Sequence, residues 1–319
     1  MDWRTLIDAP TLAARLGDQG VDDTNINDTD INDTNINDAD LVVFDCRFSL
    51  ADTDAGETAW RGSHLPNARY AHLNRDLSDL RSPHTSGSGR HPWPQAEVFV
   101  AWLARNGVSL RTQVVAYDAG DGAYAARLWC LLRALGHLKV AVLDGGWAQW
   151  NALGFPVESG EGVASDTVAL ETDATAPHDA NRDFPPRFDA LRLFDTTDIQ
   201  QRLAAGDALI DARAAERFRG EVEPIDRVAG HVPGALNRPY TMNLEDGRFK
   251  SAERLGEEFR DLLAARRADN AIVMCGSGVT ACHHLLAMAH AGLPGAALFK
   301  GSWSGWIENA TRPIATGDV

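Results

Sequence analysis

The chain has 319 residues and a mass of 34.6 kDa, room enough for two domains of ordinary size. Its 30 basic against 45 acidic residues give a formal net charge of −15, which argues against a protein that coats nucleic acid or an anionic membrane, since both ask for a cationic face. No apolar run approaches the roughly 18 residues of a membrane span. Asp2 and Asp8 stand where a secretory leader would be basic, so a cytoplasmic chain is expected.

In chain order, a short apolar run at 42–45 is followed by helical spacing at 95–105. An apolar run at 114–117, helical spacing at 123–135 and a further run at 140–143 come next. A stretch rich in Pro, Gly, Ser, Thr and Asp occupies 155–188. Beyond it the same order returns: a run at 208–211, a helix over 251–265, a run at 271–274, a helix over 279–291 and a run at 296–299. Runs of four or five apolar residues without polar alternation fit strands covered on both faces. Their alternation with helices predicts an α/β fold with a mainly parallel central sheet flanked by helices. Residues 21–40 repeat NIND with seven Asp and no Lys or Arg, and so read as a solvated acidic insertion. Within it, DTDIND at 28–33 faintly resembles a calcium loop, but it lacks Gly at the sixth position and has Ala39 where a Glu is needed.

The two halves match each other in sequence. LIDAPTLAARL at 6–16 lies over LFDTTDIQQRL at 193–203, VVFDCR at 42–47 over ALIDAR at 208–213, and HLPNA at 64–68 over HVPGA at 231–235. The segments 114–136 and 271–292 also match, as do VAVLDGGWAQW at 140–150 and AALFKGSWSGW at 296–306. Blocks matched in one order mark a tandem duplication: domains at 1–154 and 189–319 joined by a linker at 155–188.

The halves differ where chemistry is expected. Cys46, Cys130, Cys275 and Cys282 are too few and scattered for a disulfide framework, and no CxxC pair suggests zinc. Lys139, Lys250 and Lys300 stand in no context that suggests a Schiff base, so no cofactor or metal is expected. Cys275 ends a predicted strand, where ligands of open parallel sheets bind. Gly276, Ser277, Gly278, Val279, Thr280 and Ala281 follow it into a helix. The glycines let amides converge on the sulfur, and the helix adds its positive end. Such surroundings lower a Cys pKa from about 8.5 toward about 3.5–7.5. The first half has Asp118 at this position, an anion that cannot serve as a thiol nucleophile, so the first domain is expected to be inactive. Cys282 reads as a small core residue, and Trp147, Trp150, Trp303 and Trp306 as packing residues repeated in both halves.

The duplication, DARAAERFRG at 211–220, GHVPGA, CGSGVTAC and GSWSGW together resemble the two-domain rhodanese-type sulfurtransferases. The loop CGSGVT is most similar to their 3-mercaptopyruvate branch. That resemblance implies a double displacement in which Cys275 takes sulfur from a small anionic donor as a persulfide, then passes it to cyanide, a thiol or a protein acceptor. It implies donor contact by Arg217, with Arg219 and Arg227 as further candidates. Where the branch usually carries a second Arg stands Asp226, beside Arg227. The resemblance also implies a partnership of Ser277 with a His and an Asp, for which His64 and Asp54 are the candidates; His231 matches His64 in the second half. The favoured donor is 3-mercaptopyruvate, with thiosulfate as the alternative. A Cys-dependent phosphatase or arsenate reductase is disfavoured, because the position of its loop Arg is Ala281. A non-catalytic binding module suits only the half that lacks the Cys.

Overall fold

The computed structural model describes residues 2–17, 41–160 and 184–318. The acidic repeat at 21–40, DTDIND included, and most of the predicted linker lie outside them.

The first half runs β1 (Leu6–Ile7), α1 (Ala9–Gly17), β2 (Leu41–Asp45), α2 (Ala55–Gly62), β3 (Arg69–Tyr70), α3 (Ala96–Arg105), β4 (Gln113–Tyr117), α4 (Ala125–Ala134), β5 (Val140–Leu143) and α5 (Gly146–Ala152). The second runs β6 (Leu193–Phe194), α6 (Ile199–Ala204), β7 (Ala208–Asp211), α7 (Ala215–Phe218) and β8 (Leu236–Asn237). The hairpin β9 (Leu244–Glu245) and β10 (Arg248–Phe249) follows, then α8 (Ala252–Leu263), β11 (Ala271–Met274), α9 (Ala281–His290), β12 (Ala297–Phe299) and α10 (Ser302–Trp306). Each half forms a parallel five-stranded sheet, in the orders β1-β5-β4-β2-β3 and β6-β12-β11-β7-β8. The six strands expected from apolar runs are the inner strands. The two-residue strands β1, β3, β6 and β8 are too short to carry a period.

Alternate residues of each strand enter different cores, as a sheet covered on both faces requires. Val42, Phe44, Val114 and Val142 face α3 and α4, while Val43, Val115, Ala141 and Leu143 face α1 and α5. In the second half Ile210 and Val273 face α8 and α9, and Leu209 and Met274 face α10. Helices α4 and α9 are buried almost all round because they pack on each other between the sheets, so the central core is continuous across both halves. The β9–β10 hairpin reinforces this contact. The Arg248 side chain and the Phe249 amide both donate to the Asp144 carboxylate of the first half, at 3.0 and 2.8 Å.

The described ends of the predicted linker pack on the first half. Phe155 lies against Trp150, Glu158 pairs its backbone with His64, Phe184 is buried beside His137, and Phe188 meets Trp93 and Phe99.

Candidate functional site

Cys275 directly follows β11 and is buried at 2% exposure, at the head of the loop that leads into α9. The start of α10 holds the loop from behind. Ser302 Oγ accepts the Cys275 amide at 3.1 Å, and the amides of Trp303 and Ser304 donate to the carbonyls of Cys275 and Gly276 at 3.0 and 2.8 Å. The Gly278 carbonyl accepts Arg127 Nη1 at 3.0 Å and lies 3.4 Å from Cys282 Sγ. With three carbonyls engaged, the loop amides are left over. Among the described residues no protein acceptor takes the amides of Gly276 through Ala281.

The first half shows what such a loop holds. The Asp118 carboxylate, at the matching position, accepts the amides of Gly120, Gly122, Tyr124 and Ala125 at 3.1, 2.9, 2.9 and 3.2 Å. Burial, reinforced by the Asp121 charge, nonetheless pushes this carboxyl up to about 6. The duplicated turn is therefore an anion cradle: the first copy is filled by its own side chain, and the copy after Cys275 keeps its amides free of protein acceptors among the described residues.

Two guanidinium groups and an imidazole cover the second cradle. A Cβ placed on Gly276 would lie 3.3 Å from Arg90 Nη2 and 3.7 and 3.8 Å from Arg217 Nη2 and Nη1. Arg217 pairs with Glu223 at 2.7 Å and Asp226 at 3.2 Å, and Arg90 pairs with Asp226 at 2.5 Å. His91 Nδ1 lies 2.8 Å from Ser277 Oγ. Burial, then the Arg90 and Arg127 charges, lower the His91 pKa to about 3, so its ring is neutral at ordinary pH. A cleft of about 680 Å³ between the halves has Arg90, Asp226 and Ser304 among its lining residues.

Of the residues singled out in the sequence, the structure brings Cys275, Ser277, the rest of the loop and Arg217 together. His64 is not part of that group. It is buried against Trp60, with Nδ1 2.7 Å from the Trp60 carbonyl oxygen and its backbone bridged to Glu158. His231 does the same job in the second half, where it stacks on Phe218 and bridges to Ala315. The repeated motif thus anchors the chain that follows the last helix of each half, and the histidine at Ser277 is His91. Asp54 is exposed at the start of α2. Arg219 turns outward to pair with Glu221 at 2.8 Å, and Arg227 donates to the Ile307 carbonyl, so neither is one of the guanidiniums over Gly276. Arg90 and His91 lie between β3 and α3, in a stretch without periodicity. Its length was the available signal, since long irregular loops in compact domains are commonly functional.

A sequence profile of the Rhodanese-like domain matches residues 29–153 and 195–309. A Pseudomonas aeruginosa protein named "Probable 3-mercaptopyruvate sulfurtransferase" is 46% identical over 283 residues, covering 88% of this chain and 93% of its own. Human 3-mercaptopyruvate sulfurtransferase is 35% identical over 78% of each chain. Chicken thiosulfate sulfurtransferase is 29% identical over 85% of this chain and 88% of its own. The crystal structure of the Escherichia coli 3-mercaptopyruvate enzyme superposes with a TM-score of 0.69 at 28% identity, covering 95% of this chain and 100% of that one.

Proposed function

The chain belongs to the rhodanese family and is a sulfurtransferase, and from that premise we propose that Cys275 carries the sulfur as a persulfide, with 3-mercaptopyruvate as donor. The observation that carries this reading is the pair of cradles. Four amides gather on the carboxylate at Asp118, and the matching loop after Cys275 keeps its amides without a protein acceptor among the described residues, a cradle suited to the outer sulfur of an anionic persulfide. The Cys275 thiolate attacks the donor sulfur, forming an S–S bond as the C–S bond breaks. The released electron pair leaves as the enolate of pyruvate, which takes up the proton of the donor thiol. Neutral His91, as its Nδ1–H tautomer, holds Ser277 so that the hydroxyl hydrogen is free to meet the donor's developing negative oxygen. A thiolate or cyanide then removes the outer sulfur and regenerates Cys275. Asp118 leaves the first half without a nucleophile, giving one active site per chain.

Two features support mercaptopyruvate over thiosulfate. Gly276, Ser277 and Gly278 bring no cation of their own, and Glu223 and Asp226 partly neutralise the guanidiniums above, which suits one carboxylate better than a compact dianion. A phosphoryl-transfer reading lacks its loop Arg, since Ala281 is buried in that place. All four cysteines are free thiols, which supports a cytoplasmic site of action.

The test combines mass spectrometry with kinetics. Donor exposure should add one sulfur to the Cys275 peptide, Cys275→Ser should abolish turnover, and kcat/KM should be higher with 3-mercaptopyruvate than with thiosulfate. Sulfur found chiefly on another cysteine would overturn the nucleophile, and equal or better use of thiosulfate would overturn the donor.

A further inference from the structure

We propose that Cys130 and Cys282 form a redox-active dithiol at the domain interface, which a small peroxide closes into a disulfide that staples the two halves together. Sulfur transfer at Cys275 uses neither thiol. Cys130 lies on α4 and Cys282 in the first turn of α9, the two helices that pack on each other between the sheets. Both side chains are fully buried in the core that runs across the halves. Cys130 Sγ comes within 3.8 Å of the Cys282 carbonyl oxygen, and Cys282 Sγ lies 3.4 Å from the Gly278 carbonyl oxygen. The two thiols are also within hydrogen-bonding reach of each other. One thiol from each domain therefore meets the other inside a contact on which the docking of the halves depends.

The pair is unequal, as a dithiol that reacts in sequence requires. Burial pushes the Cys282 thiol up, but the Cys130 S–H and the Arg127 guanidinium beside it outweigh burial and bring it below the ordinary thiol value. Arg127 donates to main-chain carbonyls and, among the described residues, to no carboxylate, so its charge is left to act on the sulfur. Cys130 is held well above the ordinary value by burial, by its hydrogen bond to Cys282 and by the charge there. Cys282 is thus the attacking thiolate, and Cys130 the thiol that resolves it. Cys282 attacks one oxygen of the peroxide; the O–O bond breaks, and hydroxide leaves and takes up the proton that Cys282 released, giving water. Cys130 then passes its proton to the hydroxyl of the Cys282 sulfenic acid and attacks the sulfur. The S–O bond breaks, an S–S bond forms and a second water departs. The two thiols lose two electrons, and the peroxide gains them. A peroxide is small and uncharged, the class of oxidant able to enter an interface as closely packed as this one. Because the bond joins residues far apart in the chain, it constrains the unfolded chain strongly.

The experiment treats the full chain, as wild type and as Cys275→Ser, with hydrogen peroxide. Remaining thiols are then blocked with iodoacetamide in denaturant, and the single-chain band is digested without reduction and mapped by mass spectrometry. In Cys275→Ser, where the site nucleophile no longer competes for peroxide, the Cys130 and Cys282 peptides should be recovered linked, lighter than their sum by two hydrogens. Cys46 should be left as the one thiol that iodoacetamide still labels. The urea midpoint should rise on oxidation and return after dithiothreitol. Adding Cys130→Ser or Cys282→Ala should remove both the link and the rise. The wild type should form the same link. The inference is overturned if Cys130 and Cys282 are labelled as free thiols after peroxide has fully oxidised Cys275 in the wild type. It is equally overturned if Cys282 is recovered linked to Cys275, or if the link forms and the midpoint does not rise. Should the Cys130 and Cys282 variants fail to fold, the linked peptide and the midpoint in Cys275→Ser alone decide.

Discussion

Gly278 fixes the loop at the scale of a single residue. Its φ of +75° lies where side chains are strained, and an added Cβ would sit 2.5 Å from the Lys300 carbonyl oxygen. Gly278→Ala should therefore cost about 2–4 kcal/mol by combining left-handed strain with a backbone clash. The loop should shift enough to cut sulfur transfer by well over tenfold. Urea unfolding and kcat/KM check this, and a variant with wild-type values for both would show that the cradle tolerates the shift. This part of the site was legible because its signal is local: strand end, Gly-x-Gly and helix start are adjacent in sequence. His91 and Arg90 were not legible, because they reach the loop at Ser277 and Gly276 only through domain docking, from a stretch whose pattern reports no neighbours. His64 misled for the opposite reason. Its HLPNA motif is conspicuous, yet its repetition as HVPGA serves the backbone bridges to Glu158 and Ala315.

At the scale of elements, α4 and α9 join the halves, and Arg127 is the one charged residue that α4 buries there. Its guanidinium is fully buried and donates to carbonyls of Leu77 at 3.1 and 3.2 Å, Gly278 at 3.0 Å, His91 at 3.3 Å and Pro92 at 3.4 Å, with the Cys282 thiol beside it and Trp93 packed on its face. Burial lowers its pKa, but these oxygens share the charge and keep the residue paired. One side chain thus fastens the stretch carrying Arg90 and His91 to the loop carrying Cys275. In the sequence it reads as a stray charge in an apolar helix, since its acceptors lie on three separate segments. Arg127→Met should strand buried carbonyls and destabilise the chain by about 3–5 kcal/mol. Arg127→Lys, too small to reach all of them, should fall between. Denaturant titration measures this, and a loss below about 1 kcal/mol for the Met variant would show that the docking does not depend on Arg127.

Across the whole molecule the duplication repeats its internal supports. Asp45–Arg47 beside Trp147 is matched by Asp211–Arg213 beside Trp303, both pairs buried, and the Trp150 and Trp306 indoles donate to Pro156 and Pro313. The halves diverge in their buried titratable groups, and this sets the response to acid. Burial lowers His91 and His284 to about 3 and His137 and His283 to about 4, against an ordinary value of 6.5. As pH falls below 6.5 the unfolded chain takes up protons at these four sites and the folded chain does not, so the stability held above 6.5 is lost progressively toward pH 3–4. Asp118 acts in the opposite direction: with a folded value near 6 against 3.8, it favours the folded chain as pH falls through 6. Asp45 and Asp76, also raised by burial, soften the lower end. His72 and His290 are also lowered by burial, so the histidines outnumber the carboxyls that act the other way and the balance favours the unfolded chain as pH falls. That balance should make the protein lose stability steadily as pH falls below about 6. Urea midpoints measured from pH 8 to 4.5 should be level at first and then fall steeply below about 6. Replacing His284 with Gln should flatten that descent by about one proton even if it lowers stability at pH 8. A midpoint that stays level down to pH 4.5 would mean that the buried histidines gain protons in the folded chain, and that the α4–α9 interface admits charge.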